Sequence, residues 1–267
     1  MSLYSIGEVA RICGINPVTL RAWQRRYGLL KPQRTEGGHR LFDENDLETI
    51  RTIVGWINRG VPVSQVKGLL EETSAPLVSG WTQLEQQLMT VVQEEKTQKI
   101  RQLIAEMARE YPAENLVNNV LRPLRSRLSS NPSTHYLRGL LDGVLIEHAV
   151  SCMTALHKKS GNRTLLVGWG EIDRTELWLE AILRSHEGCP IDLLPDPFVD
   201  PQVENFKAEQ ILLWAEGRLN RIQRGKYLHW QQAGFPVTLL GSAAVLLHSA
   251  ENIDEESAEN HGEAHGV

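Results

Sequence analysis

Apolar residues recur at helical spacing through the first sixty per cent or so of the chain and at strand-like density after that. Ile6, Val9 and Ala10 share one face of a short helix over 6–12, and Cys13-Gly14 ends it, because glycine is the preferred residue just past a helix C-terminus. Asn16 then serves as an N-cap with Pro17 at the first helical position. In this second helix Leu20, Trp23 and Tyr27 fall on one face, whereas Arg21, Arg25 and, farther round, Thr19 and Arg26 project elsewhere. Two helices joined by such a turn form a helix-turn-helix, whose second helix suits the major groove of a duplex. A Gly37-Gly38 hairpin comes next, with basic residues on both arms.

The pattern continues as a capped helix from Asp43, with Asp46 at N3 and a stripe of Leu47, Ile50, Ile53, Val54 and Ile57. A shorter helix over 65–72 is expected behind a Ser64 cap. Residues 74–80 read as linker. Four amphipathic helices are then predicted at 81–94, 97–109, 112–129 and 133–158, an antiparallel bundle. From Arg163 the period changes: apolar strands are expected at 164–168, 190–195, 210–214 and 236–241, with helical segments between them. That layout predicts a parallel α/β sheet. The chain therefore reads as multidomain α and α/β, divided at 1–73, 81–160 and 161–250.

Charge sharpens the picture. Residues 1–40 hold seven Arg or Lys and two acids, on a chain whose net charge is −5. A basic head on an acidic protein is the footprint of a phosphate-binding module. Residues 251–267 carry six acids and no Lys or Arg, the composition of a disordered acidic tail. Cys13, Cys152 and Cys189 have no paired spacing and read as reduced thiols, and the nine histidines form no zinc spacing, so no metal site is expected. No run approaches about 18 apolar residues, so no membrane partner is expected and the chain reads as cytoplasmic. A phosphate loop and a nucleophile elbow are absent, which weighs against an enzyme.

The string from Thr19 to Leu29, TLRAWQRRYGL, with the hairpin Lys31 to Phe42, KPQRTEGGHRLF, resembles the MerR family of bacterial transcription regulators. Its Arg-x-Trp-x-Arg-Arg-Tyr-Gly form and the length of chain beyond the hairpin look most like the subgroup with a cobalamin-binding-type C-terminal region. The resemblance implies a winged helix-turn-helix, then a helical bundle and a truncated Rossmann-like α/β domain. It also implies a homodimer on promoter DNA that activates by distorting the duplex, acting on RNA polymerase indirectly, in curli and biofilm control. In that role Arg21 and Thr19 are the expected base-edge contacts. Arg25, Arg26, Tyr27, Trp23, Lys31, Arg34, His39 and Arg40 are the expected phosphate contacts, with Pro17 at the helix start.

The same resemblance sets a test for cobalamin. The family's loop after the first strand carries Asp/Glu-x-His-x-x-Gly, whose histidine ligates cobalt; here the matching positions are Glu171, Asp173 and Glu176. The later Ser-x-Leu corresponds to Ala215-Glu216-Gly217, and the Gly-Gly to Gly241-Ser242. Glu147-His148 matches the family's Trp-x9-Glu-His motif, but Leu137 replaces the tryptophan. The expectation is that no cofactor is held and that the C-terminal region receives a signal or a regulatory protein partner. The alternatives are a cobalamin-dependent light sensor and, less favoured, an enzyme using the α/β domain.

Overall fold

The computed structural model describes residues 3–35, 37–71, 80–156 and 163–249; the acidic tail and nearly all of the expected linker lie outside them. Two compact units emerge. One comprises residues up to Cys152 together with Ile182–Gly188, and the other Met153–Ala181 together with the residues from Cys189 on.

The first unit begins with strand β1 (Tyr4–Ser5) and helix α1 (Ile6–Cys13). Ser5 and Glu8 form a reciprocal capping box, and Gly14 ends the helix in the left-handed conformation at φ 65°. Helix α2 (Pro17–Ala22) starts behind the Asn16 side chain, which accepts the Val18 N–H. It runs without a break into a π turn, Trp23–Tyr27, that closes at Gly28. Strands β2 (Gln33–Arg34) and β3 (Arg40–Phe42) form an antiparallel hairpin, and β1 pairs with the other edge of β3. Helix α3 (Glu44–Asn58) is capped by Asp43 and Asp46 as expected. Helix α4 (Val63–Leu70) starts two residues before the predicted position, because Pro62 stands at the cap and Ser64 lies inside the helix. Val9, Leu20, Trp23, Phe42, Ile50, Ile53 and Val66 are buried in this part of the core.

Four helical stretches come after the head: α5 (Gly80–Gln93), α6 (Thr97–Glu110), a run through α7 (Ala113–Leu116) and α8 (Arg122–Ser129), and α9 (His135–Leu156). A π turn over Val117–Leu121 joins α7 to α8. Pro123 just beyond it lacks an N–H and its ring crowds the preceding turn, a physical cause for the widened winding. The buried Arg125 guanidinium is paired with Asp142 of α9 at 2.7 Å. By length and composition the helix over Pro132–Leu156 is apolar enough to cross a membrane, contrary to the expectation from run length. Its Leu137, Leu141, Val144, Leu145 and Ala149 are buried in the protein, but only 28% of its apolar window is, and Tyr136 and Val150 are exposed.

Head and helices share one unit because they pack directly. The Gly80 N–H donates to the Gly60 carbonyl at 3.0 Å, and the Trp81 ring lies against Gly60, whose φ of 87° and lack of a side chain admit it. Trp81 also meets Tyr111 edge-on, with centroids 5.4 Å apart.

The second unit contains a parallel sheet of β4 (Thr164–Trp169), β5 (Ile191–Phe198), β6 (Gln210–Trp214) and β7 (Val237–Leu240), in the order β5-β4-β6-β7. Helix α10 (Arg174–His186) links β4 to β5, and α11 (Arg221–Gln232) links β6 to β7. Between β5 and β6 there is only a 3-10 turn, Val203–Asn205, where a helical segment was expected. A last helix, α12, covers 242–249. Strand β4 is buried along its whole length, as a central parallel strand must be when both faces are covered. Trp169 and Trp230 stack obliquely in the core on one face, with centroids 5.2 Å apart.

Candidate nucleic-acid interface

The face of α2 divides between core and solvent in a way that corrects two expected roles. Thr19 and Trp23 are both 0% exposed. The Trp23 indole N–H donates to the Glu110 carbonyl of α6 at 2.8 Å, so this ring is an anchor of the head and not a phosphate contact. Thr19 is enclosed, with no hydrogen-bond partner for its hydroxyl among the described residues, and a buried hydroxyl cannot reach a base edge. Periodicity placed Thr19 beside the arginines; packing between helices covered it.

The remaining basic residues converge. Arg21 and Arg25 come from α2 and its π turn, Arg34 from β2 and Arg40 from β3. Burial, and then the charges of Arg34, Arg25 and Arg21, push the Arg40 guanidinium below its ordinary pKa. Arg34, Arg25 and Arg21 are thus near enough to Arg40 for their charges to act on it. Among the described residues no carboxylate pairs with any of them; Arg40 instead donates its Nε–H to the neutral Gln24 side chain. Gln24 was not foreseen in this role, although its position three residues after Arg21 puts the two on one helix face. Four clustered guanidiniums without counter-charges form an anion site of the kind that a phosphate backbone fills.

Lys31 and His39 are exposed near the hairpin, and Pro17 is half-buried at the first turn of α2. The hairpin closes on itself: Thr35 N–H donates to the His39 carbonyl at 2.9 Å, and His39 N–H to the Thr35 hydroxyl at 3.1 Å. Arg26 and Tyr27 face another way. Arg26 forms an ion pair with Glu110, and burial together with the Glu110 hydrogen bond and charge raises the Tyr27 hydroxyl well above its usual pKa. Glu110, 84 residues from Arg26, thus gathers Trp23, Arg26 and Tyr27 onto the end of α6, and no local pattern in the sequence signals this.

The positions matched to a cobalamin site are otherwise engaged. Strand order reverses between β4 and β6, where open parallel sheets take ligands beyond the strands' carboxyl ends. There the Glu216 carboxylate accepts both the Asp173 N–H and the Trp214 indole N–H, each at 3.2 Å. Asp173 caps α10 by accepting the Thr175 N–H at 3.1 Å, and Gly217 N–H donates to the Ser242 hydroxyl at 2.8 Å. Gly241 sits so near the Ala215 carbonyl that a side chain there would meet it at 2.4 Å. Helix caps and cross-loop bonds therefore occupy this edge, with a carboxylate where cobalt would need imidazole; the residues do not fit the cofactor. In the other unit Glu147 is committed to Arg101, through contacts of 2.5 and 2.9 Å, beside a pocket of ≈ 180 Å³ that Val144 and His148 also line. Glu171 and Glu176 flank Asp173, exposed and half-buried respectively.

Comparison with known proteins covers all three regions. Residues 4–73 match the model of the MerR HTH family regulatory proteins, residues 81–154 that of the transcriptional regulator MlrA helical domain, and residues 161–237 that of the MlrA C-terminal domain. The chain is 43% identical over 242 residues to the HTH-type transcriptional regulator MlrA of Escherichia coli K12, covering 90% of this chain and 100% of that protein. The MlrA of Salmonella typhimurium SL1344 is similar to the same extent. Similarity to the HTH-type transcriptional repressor CarH of Myxococcus xanthus, 33% over 69 residues, covers 26% of this chain and 23% of that protein.

Proposed function

Because the chain belongs to the MlrA family of MerR-type transcriptional regulators, a DNA-binding regulator and not an enzyme, we propose that it is an activator that binds a promoter as a homodimer. The Arg21, Arg25, Arg34 and Arg40 cluster carries this reading, because it joins a helix that fits the major groove to a hairpin that serves as a wing beside it. Arg21, near the helix start, reads base edges; Arg25, Arg34, Arg40, Lys31 and His39 hold phosphates. A two-fold dimer sets two such heads on successive grooves of a pseudo-palindromic site, and distortion of the spacer between them contributes to specificity and repositions the promoter for RNA polymerase. Residues 1–73 are the reader, residues 81–160 the bundle, and residues 161–250 a Rossmann-like module that receives a signal or protein partner without cobalamin. The place of action is the cytoplasm, and curli and biofilm control is the proposed output.

Footprinting with the full chain on genomic promoter fragments tests the reading. A protected stretch spanning two half-sites about one helical turn apart is expected. A corrin absorption band in the purified protein, changing with light, would instead select the cobalamin-sensor alternative.

A further inference from the structure

In the first unit, outside the DNA-contacting face, three donor atoms converge that the regulator mechanism does not use. His148 and Cys152 stand one turn apart on α9, and His186 is the last residue of α10. Cys152 Sγ lies 3.7 Å from His148 Nε2 and 3.9 Å from His186 Nε2, and one donor atom from each of the three residues lies within 4.8 Å of the others. In a regular tetrahedral zinc site, sulfur–nitrogen separations are roughly 3.5 Å and nitrogen–nitrogen separations roughly 3.3 Å, from the usual metal–ligand bond lengths. Small side-chain rotations would bring the three atoms from their present spacing to that one.

The protonation states suit a cation. Burial lowers the pKa of His148, and burial together with the neighbouring His148 lowers that of His186 to about 4, so both rings are neutral and present lone pairs at physiological pH. Burial pushes the Cys152 thiol up to about 11. Without an ion, the three groups share only two long sulfur–nitrogen contacts, of 3.7 and 3.9 Å, a weak reason for them to gather.

We propose that His148, Cys152 and His186 form a binding site for one d10 cation of the zinc or copper(I) class. Two imidazoles and a thiolate make a borderline-to-soft donor set that such ions prefer and that magnesium or calcium does not. On binding, the Cys152 S–H bond breaks, its proton passes to solvent, and the sulfur–metal bond forms with no change of oxidation state. The fourth position stays open to water or to a small exogenous ligand. Bound there, the ion ties the end of α10 to the last turns of α9. The site stands independently of the DNA-binding reading.

Cobalt(II) titration of the metal-free full chain is the test. One equivalent should produce a thiolate-to-cobalt charge-transfer band and the visible bands of tetrahedral coordination. Displacement by zinc(II) or by copper(I), with magnesium without effect, then names the ion. The C13S/C189S double variant should keep the band, and Cys152→Ser should lose it. His186→Gln should weaken binding by about 100-fold or more, beyond the loss typical of a supporting residue. Circular dichroism and DNA binding of each variant show that it remains folded, and Cys152→Ser, nearly isosteric, serves if His186→Gln does not fold. A band that is absent, that tracks with Cys13 or Cys189, or that persists in a folded Cys152→Ser protein overturns the site.

Discussion

The arginine-bearing surface of the head and the carboxyl edge of the parallel sheet stand in opposite chemical conditions. In the head, Arg21, Arg25, Arg34 and Arg40 lie near one another with no carboxylate among the described residues to pair with them, a charge that a polyanion would neutralise. At the sheet edge, Asp173, Trp214, Glu216, Gly217 and Ser242 satisfy one another. The first surface leaves its positive charge unpaired, whereas the second pairs several of its polar groups within its own loops.

The contrast fails first if the head's exposed and buried halves turn out not to be separate. Trp23→Ala removes a fully buried ring and should destabilise the head by about 3–5 kcal/mol, measured by denaturant unfolding of the full chain. Little loss of stability with a large loss of DNA affinity would return Trp23 to the contact set. Arg21→Ala should leave stability unchanged, weaken specific binding by about 1–3 kcal/mol and relax base preference at one position of each half-site. Glu216→Ala should do the reverse: it removes an acceptor shared by the Asp173 and Trp214 donors, costing about 0.5–1.5 kcal/mol of stability while the folded protein binds DNA as before. Arg40→Ala is expected to weaken all sequences alike and to lower the slope of log affinity against log salt by about 1. The smallest expected effect is none: Asp173→His restores an imidazole at the cobalt-ligand position, yet no corrin band should appear on adding cobalamin. A band would mean that the closed edge opens readily and that a single side chain decided the loss.

Much of the head was legible because its signals are local. Gly14, Asn16, Pro17, Asp43 and Asp46 act within one turn of where they stand, and the helices begin and end at them. The strands at 164–169 and 210–214 declared themselves by unbroken apolar runs, since both faces of a central parallel strand are covered. Thr19 was misplaced because spacing gives direction around a helix but not what packs against it. The apolar length of α9 was missed because run length alone was counted; Leu141, Val144 and Leu145 lie in the core, whereas Tyr136 and Val150 are exposed. Glu110 was invisible because an ion pair across 84 residues has no local pattern.

Residue order alone was enough to place most of the helices and strands, though not β1 or the lack of a helix between β5 and β6, to locate the basic charge and to identify the family motif, since these depend on propensities, caps and residue types within a turn or two. Packing in three dimensions settled the rest: which face of α2 is core, that Glu110 takes Arg26 and Tyr27, that Glu216 closes the sheet edge, and that His148, Cys152 and His186 meet. Each of these is a contact between residues on different elements, and such contacts form only when folding brings those elements within a few ångströms.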